Sequence, residues 1–392
     1  MKTSDWNAFL LTRFRVKLKS QKRRMGVNRL LYERLAKPLF FRMDPEKAHH
    51  LVIDGMRGAS STPGGLTLLR KMYGTEHDEA LASEVAGLSF PSPIGLAAGL
   101  DKNAEAVPGF SSVGFGFMEV GTVTPLSQPG NEQPRLFRLP SDEALINRMG
   151  FNNEGAEAMA ARLAALKDRP VPVGVNIGKN KATPNEEAYL DYERCIRVLY
   201  PYADFFIVNI SSPNTPDLRR LQHGDELRKL LTAVTSELAS QAGEASPKPV
   251  FVKIAPDLGD EELEETVDAI ASSGVSGLIA TNTTLSREGL THRNRTEAGG
   301  LSGRPLTGRS TEIVRRAYAQ TQGRLPIVGS GGIFTPEDAY AKIRAGASLI
   351  EIYTAMIYKG PEINRQLHTG LKRLLQTDGF TRISQAVGAD HR

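Results

Sequence analysis

Phe-Phe-Ile-Val-Asn-Ile-Ser-Ser-Pro-Asn-Thr-Pro, residues 205–216, joins an apolar segment of strand length to a polar loop. Its first four residues are aromatic or β-branched, a composition typical of a buried strand. The loop offers three hydroxyls and two amides, and its two prolines restrict the backbone. Because ligands of parallel α/β folds bind where strands end and loops begin, this stretch predicts a binding site directly after a buried strand. The alternative is a plain turn, since Ser, Asn and Pro are common turn residues.

The alternation of strand and helix continues on both sides of this stretch. Helical patterns separate most of the apolar segments, for example at 153–166, 225–238, 260–272, 310–320 and 336–345. Eight such units match a (β/α)8 TIM barrel, an α/β fold, in number and length, so we expect this architecture. A doubly wound sheet is the alternative, but the glycine-rich dinucleotide loop expected after its first strand is absent from the sequence. The predicted strands are Ile94–Leu100, Phe115–Val123, Val171–Ile177, Phe205–Ile210, Val250–Ile254, Gly277–Ala280, Pro326–Gly329 and Leu349–Tyr353.

Small or polar residues follow nearly every predicted strand, as a barrel active site requires. Lys102 follows the first strand and Lys253 lies in the fifth. A single strand-end Lys or Gly-Gly pair is usually a solvated group or a turn, but their repetition around the barrel favours a site. Residues 331–332 and 353–354 occupy the usual barrel phosphate position, after strands seven and eight. We therefore expect a phosphorylated cofactor, and two lysines beside small residues suggest flavin mononucleotide (FMN).

Composition restricts the class of protein. The chain has 392 residues, of which 40% are hydrophobic and 24% charged, as expected for one large α/β domain with a small appendage. Its single cysteine, Cys195, lies in a helix-like segment and excludes a disulfide framework and a cysteine-rich metal site. We expect no metal. No apolar run approaches the roughly 18 residues that a membrane-spanning helix needs.

The charge is distributed unevenly along the chain. Residues 1–42 carry 12 Lys and Arg against 2 Asp and Glu, a charge of +10, whereas the rest carries 37 against 42, a charge of −5. A basic end on an acidic body indicates an anionic partner surface. Apolar residues interleave with these charges, which favours anionic lipid over nucleic acid. Residues 1–27 are expected to form a basic tail, either disordered or on a membrane surface, and an organelle transit peptide is a further alternative.

Two helical patterns follow the basic tail, and we expect residues 28–60 to form a helical appendage. Val27, Leu30, Leu31 and Leu35 define one apolar face that is predicted to end before Pro38. Asp44-Pro45-Glu46 is a strong start for a second helix. A link rich in Gly, Ser and Pro is predicted over Gly58 to Gly65. The two helices either pack on the main domain or separate to admit a lipophilic molecule. Residues 61–380 are expected to form the barrel, and 381–392 a C-terminal tail.

The amino-acid sequence of the 209–219 loop resembles that of the dihydroorotate dehydrogenases, in their membrane-associated, quinone-dependent class. The resemblance covers residues 28–380, including the N-terminal helices that the soluble class lacks. It implies oxidation of (S)-dihydroorotate to orotate in pyrimidine (UMP) synthesis, with FMN as cofactor and ubiquinone or menaquinone as acceptor. Ser212 matches the catalytic base of the family, where the soluble class has Cys. The helix pair is implied to dock on the membrane and to form a quinone tunnel, with His49 and Arg138 at the quinone site.

The resemblance also implies the other site residues. Those matched to the substrate are Lys102, Asn147, Arg148, Met149, Gly150, Phe151, Asn209, Asn214, Asn282 and Thr283. Those matched to FMN are Ala97, Ala98, Gly99, Leu100, Asp101, Thr122, Asn176, Asn209, Lys253, Thr281, Ser302, Gly303, Gly331, Gly332, Tyr353 and Thr354. The insert that contains Arg138, residues 125–148, is too long for a routine connection and independently indicates a binding role.

This interpretation assigns chemistry to the loop. Ser212 is expected to remove the C5 proton of dihydroorotate while C6 delivers a hydride to FMN, and Lys102 to pair with the substrate carboxylate. Because the motif offers no His–Asp partner, the Ser212 proton is expected to leave through Thr215, a water or Lys102.

Three other functions are compatible with parts of the sequence. A related flavin barrel that uses fumarate or NAD is disfavoured by Ser212 and by the helical appendage. A non-catalytic membrane-surface protein is disfavoured by the complete Ser, Asn and Lys set, and a nucleic-acid binder by the acidic body. We expect a monomer, peripherally attached to the cytoplasmic face of a bacterial inner membrane, with the mitochondrial inner membrane as the alternative.

Overall fold

The computed structural model describes residues 26–392. The predicted basic tail, residues 1–27, lies outside the described residues except for its last two. Eight parallel strands with helices between them close into a barrel, which confirms the predicted (β/α)8 fold. The barrel strands are Ile94–Leu96, Phe117–Val123, Val173–Ile177, Phe205–Asn209, Val250–Ile254, Gly277–Ala280, Ile327–Ser330 and Leu349–Ile352.

The surrounding helices include all five that the sequence predicted. Local chemistry defines their ends: Pro336 opens its helix, and the Thr335 hydroxyl accepts a hydrogen bond from the Asp338 N–H at 3.1 Å. Cys195 is buried in a helix, as its pattern indicated. The helices of the barrel are Val107–Ser111, Ala156–Ala164, Ala188–Leu199, Gly224–Ala242, Asp260–Ala271, Thr307–Thr321, Pro336–Arg344, Thr354–Lys359 and Glu362–Thr377.

Apolar side chains fill the lower half of the barrel interior. Phe117, Phe205 and Phe251 point inward and meet edge to face, with ring centroids 5.8–6.3 Å apart. A short hairpin, Ser83–Val85 with Leu88–Phe90, closes the bottom of the barrel, and the Phe90 ring lies 5.4 Å from that of Phe117. The barrel therefore has a packed aromatic floor and opens only at its other end.

The same strands place polar groups above this floor. Inward positions recur every second residue along a strand, so the residue two positions after an inward aromatic also faces the interior. Glu119 lies two residues after Phe117, and Lys253 lies two residues after Phe251, so both face the interior. In the fourth strand, Ile207 belongs to the floor and Asn209 comes next on that face. The periodicity of the strands thus builds a polar layer at their C-terminal ends.

The first N-terminal helix runs further than predicted. Residues 26–31 are helical, Tyr32–Ala36 form a π-helical turn and Lys37–Arg42 continue the helix, so the prediction that it ends before Pro38 is wrong. The reason is the π-turn, which shifts the hydrogen-bond pattern directly before the proline, whose missing N–H would interrupt a regular helix. The Tyr32 hydroxyl donates to the Ile357 carbonyl at 2.6 Å and ties this segment to the barrel.

The second helix, Pro45–Ser61, begins at the predicted cap. The Asp44 carboxylate accepts hydrogen bonds from the next two free N–H groups, each at 3.0 Å. The helix continues through residues 58–61 of the predicted link, where the Ser60 and Ser61 hydroxyls donate to carbonyls one turn earlier. A third helix, Gly65–Tyr73, follows. The link is therefore confined to residues 62–64, and the appendage contains three helical segments.

Two further segments differ from a simple barrel. The insert 125–148 contains the hairpin Leu136–Leu139 and Ala144–Asn147, which pairs with Gly300–Gly303 as a three-stranded antiparallel sheet beside the barrel mouth. Residues 381–392, expected to be a tail, pack on the barrel through the short helix Ile383–Ala386.

A buried ion pair fixes the second helix to the insert. The Arg135 guanidinium binds the Glu46 carboxylate at 2.7 Å and donates to the Pro129 and Asn131 carbonyls, and both charged side chains are buried. We expect Arg135→Met to lower the free energy of unfolding by about 3–5 kcal/mol, because it leaves a buried carboxylate without its partner. Chemical denaturation measures this loss. Arg373→Met, which removes one exposed pair with Glu337, is the matched control and should cost less than about 1 kcal/mol. Equal losses in the two variants would contradict the prediction.

Candidate active site

A cavity of about 1220 Å³, including the part that opens to solvent, lies at the C-terminal ends of the strands. Most of the residues predicted to bind ligands line it. They are Ala97, Ala98, Gly99, Lys102, Thr122, Asn147, Met149, Gly150, Phe151, Asn209, Ser212, Asn214, Lys253, Thr281, Asn282, Thr283, Ser302, Gly303, Gly331, Gly332, Tyr353 and Thr354.

Ser212 lies in the loop after the fourth strand and contributes to the cavity wall. It is buried, and its hydroxyl oxygen accepts a hydrogen bond from the Asn214 N–H at 3.3 Å. Thr215 follows Ser212 by three residues in the chain. Its hydroxyl is buried and has no hydrogen-bond partner among the described residues. Ser212 can therefore face a substrate, but its hydrogen bonds do not include a His or carboxylate base.

Asparagine side chains form two hydrogen-bonded groups in the wall that contains this serine. The Asn209 amide donates to Thr122 at 2.9 Å and to Asn176 at 3.1 Å. The Asn282 amide donates to the Asn209 side-chain oxygen at 3.2 Å, and the Asn214 amide to that of Asn147 at 3.1 Å. These bonds fix the orientation of each carboxamide, so the wall presents donors and acceptors at defined positions.

Lys253 lies between two buried carboxylates at the base of the cavity. Its ammonium is 2.5 Å from Glu351 and 3.5 Å from Glu119. Burial disfavours the charged lysine, but both carboxylates more than offset this and raise the pKa of Lys253. Burial and the neighbouring Glu351 raise the pKa of Glu119 well above its usual value, whereas Lys253 acts in the opposite direction. The cluster thus keeps a positive ammonium in the cavity wall.

Lys102 and His49 lie at the end of the cavity near the second N-terminal helix. Burial lowers the pKa of Lys102 to about 8, an effect that the Glu46 charge partly opposes. Burial and the Lys102 charge lower the pKa of His49 to about 3. At neutral pH, His49 is therefore uncharged and Lys102 is mostly protonated, which suits the lysine to bind an anion at this end.

The turn after the seventh strand is suited to a phosphate group. Gly331 and Gly332 adopt φ values of 106° and 72°, which favour glycine, and both line the cavity. Such turns point successive N–H groups toward an anion. The Ser302 and Thr354 hydroxyls, 2.8 Å apart, lie on the same wall. An anion can therefore be held here by neutral donors.

The Thr283 hydroxyl is a buried polar atom of the cavity wall without a hydrogen-bond partner among the described residues. Buried polar groups in native proteins are almost always satisfied, so this hydroxyl indicates a polar group of a bound ligand. Together with the amides, the lysine and the glycine turn, the donor set fits a phosphorylated flavin and a small planar substrate.

Comparison with known proteins identifies the family of this chain. The family model described as "Dihydroorotate dehydrogenase" matches residues 80–375. The chain belongs to the dihydroorotate dehydrogenase family. It is 57% identical over 362 residues to the dihydroorotate dehydrogenase (quinone) of Deinococcus radiodurans, covering 90% of this chain and 98% of that protein. The protein of the same name from Anaeromyxobacter dehalogenans is 53% identical over 357 residues, with 90% and 96% covered.

Solved structures agree with this membership in the dihydroorotate dehydrogenase family. Ligand-free DHODH from Eimeria tenella has a TM-score of 0.81 at 44% identity, covering 89% of this chain and all of that one. The complex of Eimeria tenella DHODH with ferulenol has a TM-score of 0.79 at 42% identity, with 89% and 96% covered. The resemblance predicted from the 209–219 loop is thereby confirmed for the family.

Several predicted residues lie outside the cavity lining. Leu100 is buried in the core, and the Asp101 carboxylate caps two backbone N–H groups at 2.8 Å. Asn176 is fully buried beneath Thr122 and Asn209. Arg148 pairs with Glu297 and stacks on Phe137 instead of facing the cavity. These side chains support the walls, and a direct ligand contact by them stays a prediction.

Arg138 lies where the insert meets the first two helices. It donates to the Met43 carbonyl at 2.8 Å, and its guanidinium is 5.0 Å from the centre of the Phe41 ring. It does not line the described cavity, whereas His49 does. The structure thus brings His49 to the end of the cavity that contains Lys102 and keeps Arg138 at the helical junction.

Sequence reasoning missed the two carboxylates beside Lys253. Glu351 could have been found from its position two residues after an inward Leu349, and Glu119 from the same step after Phe117. Leu136, Leu145, Leu306, Ser330, Ile333, Phe334, Ile352 and Ala355 also line the cavity without having been predicted. Within residues 26–392, no cluster of three or more His, Cys, Asp or Glu residues could hold a metal, and no helix is long and apolar enough to cross a bilayer.

Proposed function

We propose that this protein oxidises (S)-dihydroorotate to orotate in pyrimidine synthesis, with FMN as its cofactor and a membrane quinone as the electron acceptor. The observation that carries this proposal is the convergence of Ser212, four asparagines and two lysines in one cavity at the barrel mouth. FMN, when bound, supplies the hydride acceptance and the electron transfer to quinone that no side chain can supply.

Different residues are proposed to remove the substrate proton and to bind the substrate. Ser212 is proposed to take the C5 proton as the catalytic base, and its hydrogen bond from Asn214 N–H orients the hydroxyl. Lys102 pairs with the substrate carboxylate, while Asn147, Asn209, Asn214 and Asn282 bind the imide groups. Thr283 supports the same assignment, because its hydroxyl lines the cavity without a partner.

The cofactor residues are proposed to lie opposite the substrate end. The turn 331–332, with Ser302, Gly303 and Thr354, holds the phosphate, and Lys253 supports the ring system electrostatically. Because Glu351 and Glu119 keep Lys253 charged, the wall stabilises negative charge on a reduced ring. Residues 97–99, Thr122, Thr281 and Tyr353 complete this wall.

The N-terminal helices are proposed to bind the quinone and to attach the protein, as a monomer, to the cytoplasmic face of an inner membrane. The cavity reaches His49 on the second helix, which links the substrate end with these helices. Large apolar side chains on all three helical segments are exposed to solvent, which is unusual for a soluble surface and typical of a membrane-docking face. They are Val27, Leu30, Leu31, Leu35, Leu39, Leu51 and Leu68.

Membrane docking predicts an effect of the exposed leucines. Leu35 and Leu39 are 65% and 62% exposed on the first helix. The double variant Leu35→Gln/Leu39→Gln should bind anionic vesicles at least roughly tenfold more weakly in co-sedimentation, because each leucine would transfer apolar surface into lipid. Leu190→Gln, at an exposed position of a barrel helix, is the matched control. Equal binding of both variants would contradict a docking role for this helix.

The proposed activity is tested on the purified full chain. We expect the yellow absorption spectrum of a flavin, and dihydroorotate oxidation that is fastest with a ubiquinone analogue when quinone, fumarate and NAD are assayed in parallel. A colourless protein that neither binds flavin nor oxidises dihydroorotate would refute the proposal. A preference for fumarate or NAD would refute the quinone assignment alone.

A further inference from the structure

Lys342 is a fully buried lysine that the proposed mechanism does not use. It lies on the helix Pro336–Arg344, with 0% of its surface exposed. Its ammonium donates to the Ser310 hydroxyl at 2.6 Å and to the Thr311 hydroxyl at 3.0 Å. Among residues 26–392 no carboxylate forms a salt bridge with it, although buried lysines are rare without a charged partner.

The environment of Lys342 disfavours its charge. Burial lowers the pKa of Lys342 to about 7, and the charge of Asp338 acts in the opposite direction without contact. The Asp338 carboxylate is instead bonded to the Phe334 and Thr335 N–H groups at the start of the helix. A cation held here without a contacting anion is costly, so a nearby anionic ligand would stabilise it.

The position of Lys342 relates it to one wall of the cavity. Its stem packs against Gly329 in the seventh strand, where an added Cβ would lie 2.5 Å from the lysine Cδ. The Ser310 hydroxyl, which accepts from the lysine, donates to the Ser330 carbonyl at 2.5 Å. Ser330 lines the cavity directly before the glycine turn 331–332. The ammonium is therefore one hydroxyl away from the turn that is suited to an anion.

We propose that Lys342 is a positioning residue whose charge, acting through Ser310, gives the turn 330–332 its preference for a phosphorylated flavin over an unphosphorylated one. This inference rests on the proposed FMN site. The neutral hydroxyls and N–H groups of the turn contact the phosphate, while Lys342 supplies the positive charge from behind. The low dielectric between them strengthens this attraction relative to that of an exposed lysine.

Affinities for FMN and for riboflavin, which lacks the phosphate, test this role in the full chain freed of cofactor. Quenching of flavin fluorescence gives both dissociation constants. The parent protein should prefer FMN, and Lys342→Met should weaken FMN binding by roughly tenfold, the order expected for a charge acting across several ångströms of protein. Riboflavin binding should change by less than about twofold.

Two further substitutions distinguish charge from structure. Lys342→Gln keeps a donor for Ser310 without the charge and should lose FMN preference as Lys342→Met does. Lys248→Met is the matched control, because Lys248 bonds to the Tyr200 and Ala203 carbonyls at the opposite end of the barrel. It should leave both affinities unchanged. If the Lys342 variants do not fold, Ser310→Ala provides the alternative test. It removes the hydroxyl that links the Lys342 ammonium to the Ser330 carbonyl, and it should reduce the ratio of FMN affinity to riboflavin affinity.

The outcomes separate this inference from the proposed function. Equal weakening of both flavins, or full FMN preference in Lys342→Gln or Ser310→Ala, would show a purely structural role and overturn the inference. A parent protein that binds FMN no more tightly than riboflavin would overturn it as well. A parent that binds neither flavin would instead refute the proposed cofactor, and with it this inference.

Discussion

Replacement of Ser212 by Ala is expected to slow the reduction of bound flavin by dihydroorotate roughly 10²- to 10⁴-fold, the range for loss of a general base. The flavin itself should remain bound, because Ser212 is proposed to contact the substrate, whereas the separate turn 331–332 is proposed to hold the flavin phosphate. Rapid mixing of the oxidised protein with dihydroorotate, followed by flavin absorbance, measures this step apart from quinone reduction.

Two controls make the Ser212 result specific. Ser211→Ala removes the neighbouring hydroxyl, which donates to the Lys253 carbonyl at 2.5 Å and accepts from the Asn282 amide at 3.0 Å without lining the cavity. It should lower the rate much less than Ser212→Ala does. Ser212→Cys restores an ionisable group and should recover part of the rate, with its optimum following thiol ionisation. Flavin reduction at the parental rate in Ser212→Ala would exclude this serine as the base.

The sequence could predict the barrel because each strand carries its own signal. The predicted strand Val250–Ile254 has the observed bounds. The polar residues that follow nearly every apolar run indicate which end of the barrel is its mouth. Asn209 illustrates why the site was also accessible: it follows a strand whose inward positions are fixed by period two, so its side chain must enter the cavity. Local periodicity therefore determined both the fold and most of the site.

The features that were missed depend on contacts between distant segments. The hairpin in the insert pairs with Gly300–Gly303, more than 150 residues later in the chain, and no local sequence pattern predicts that pairing. Glu351 is charged and sits in an otherwise apolar strand, where its partner Lys253 lies 98 positions away. The predicted helix bounds were wrong at Pro38 and Gly58: a π-helical turn carries the first helix past the proline, and the second helix runs on to Ser61 through residues predicted as a link. Sequence patterns describe single elements, whereas these contacts exist only after the barrel has closed.

Replacement of Lys102 by Met is expected to raise KM for dihydroorotate about 10- to 100-fold, because it removes a charged hydrogen bond to the substrate carboxylate. The pH dependence provides a second measurement. Burial lowers the pKa of Lys102 to about 8, and the protonated form is the one proposed to bind the anionic substrate. KM of the parent should therefore be constant well below pH 8 and rise above it, approaching tenfold per unit, whereas KM of the variant should lack this rise. A parental KM profile in Lys102→Met would contradict the assignment.

The same variant decides between routes for the Ser212 proton. If Lys102 only binds the carboxylate, the loss appears in KM, and flavin reduction at saturating dihydroorotate stays within a few-fold of the parental rate. If Lys102 also accepts the proton, the saturated rate falls while KM rises, and the route through Thr215 or water is disfavoured. Lys181→Met, an exposed lysine beside the mouth that bonds to Asn131 at 3.1 Å, controls for general loss of positive charge. Since the Thr215 hydroxyl is buried without a partner among the described residues, we expect the first outcome, with this hydroxyl or a water relaying the proton.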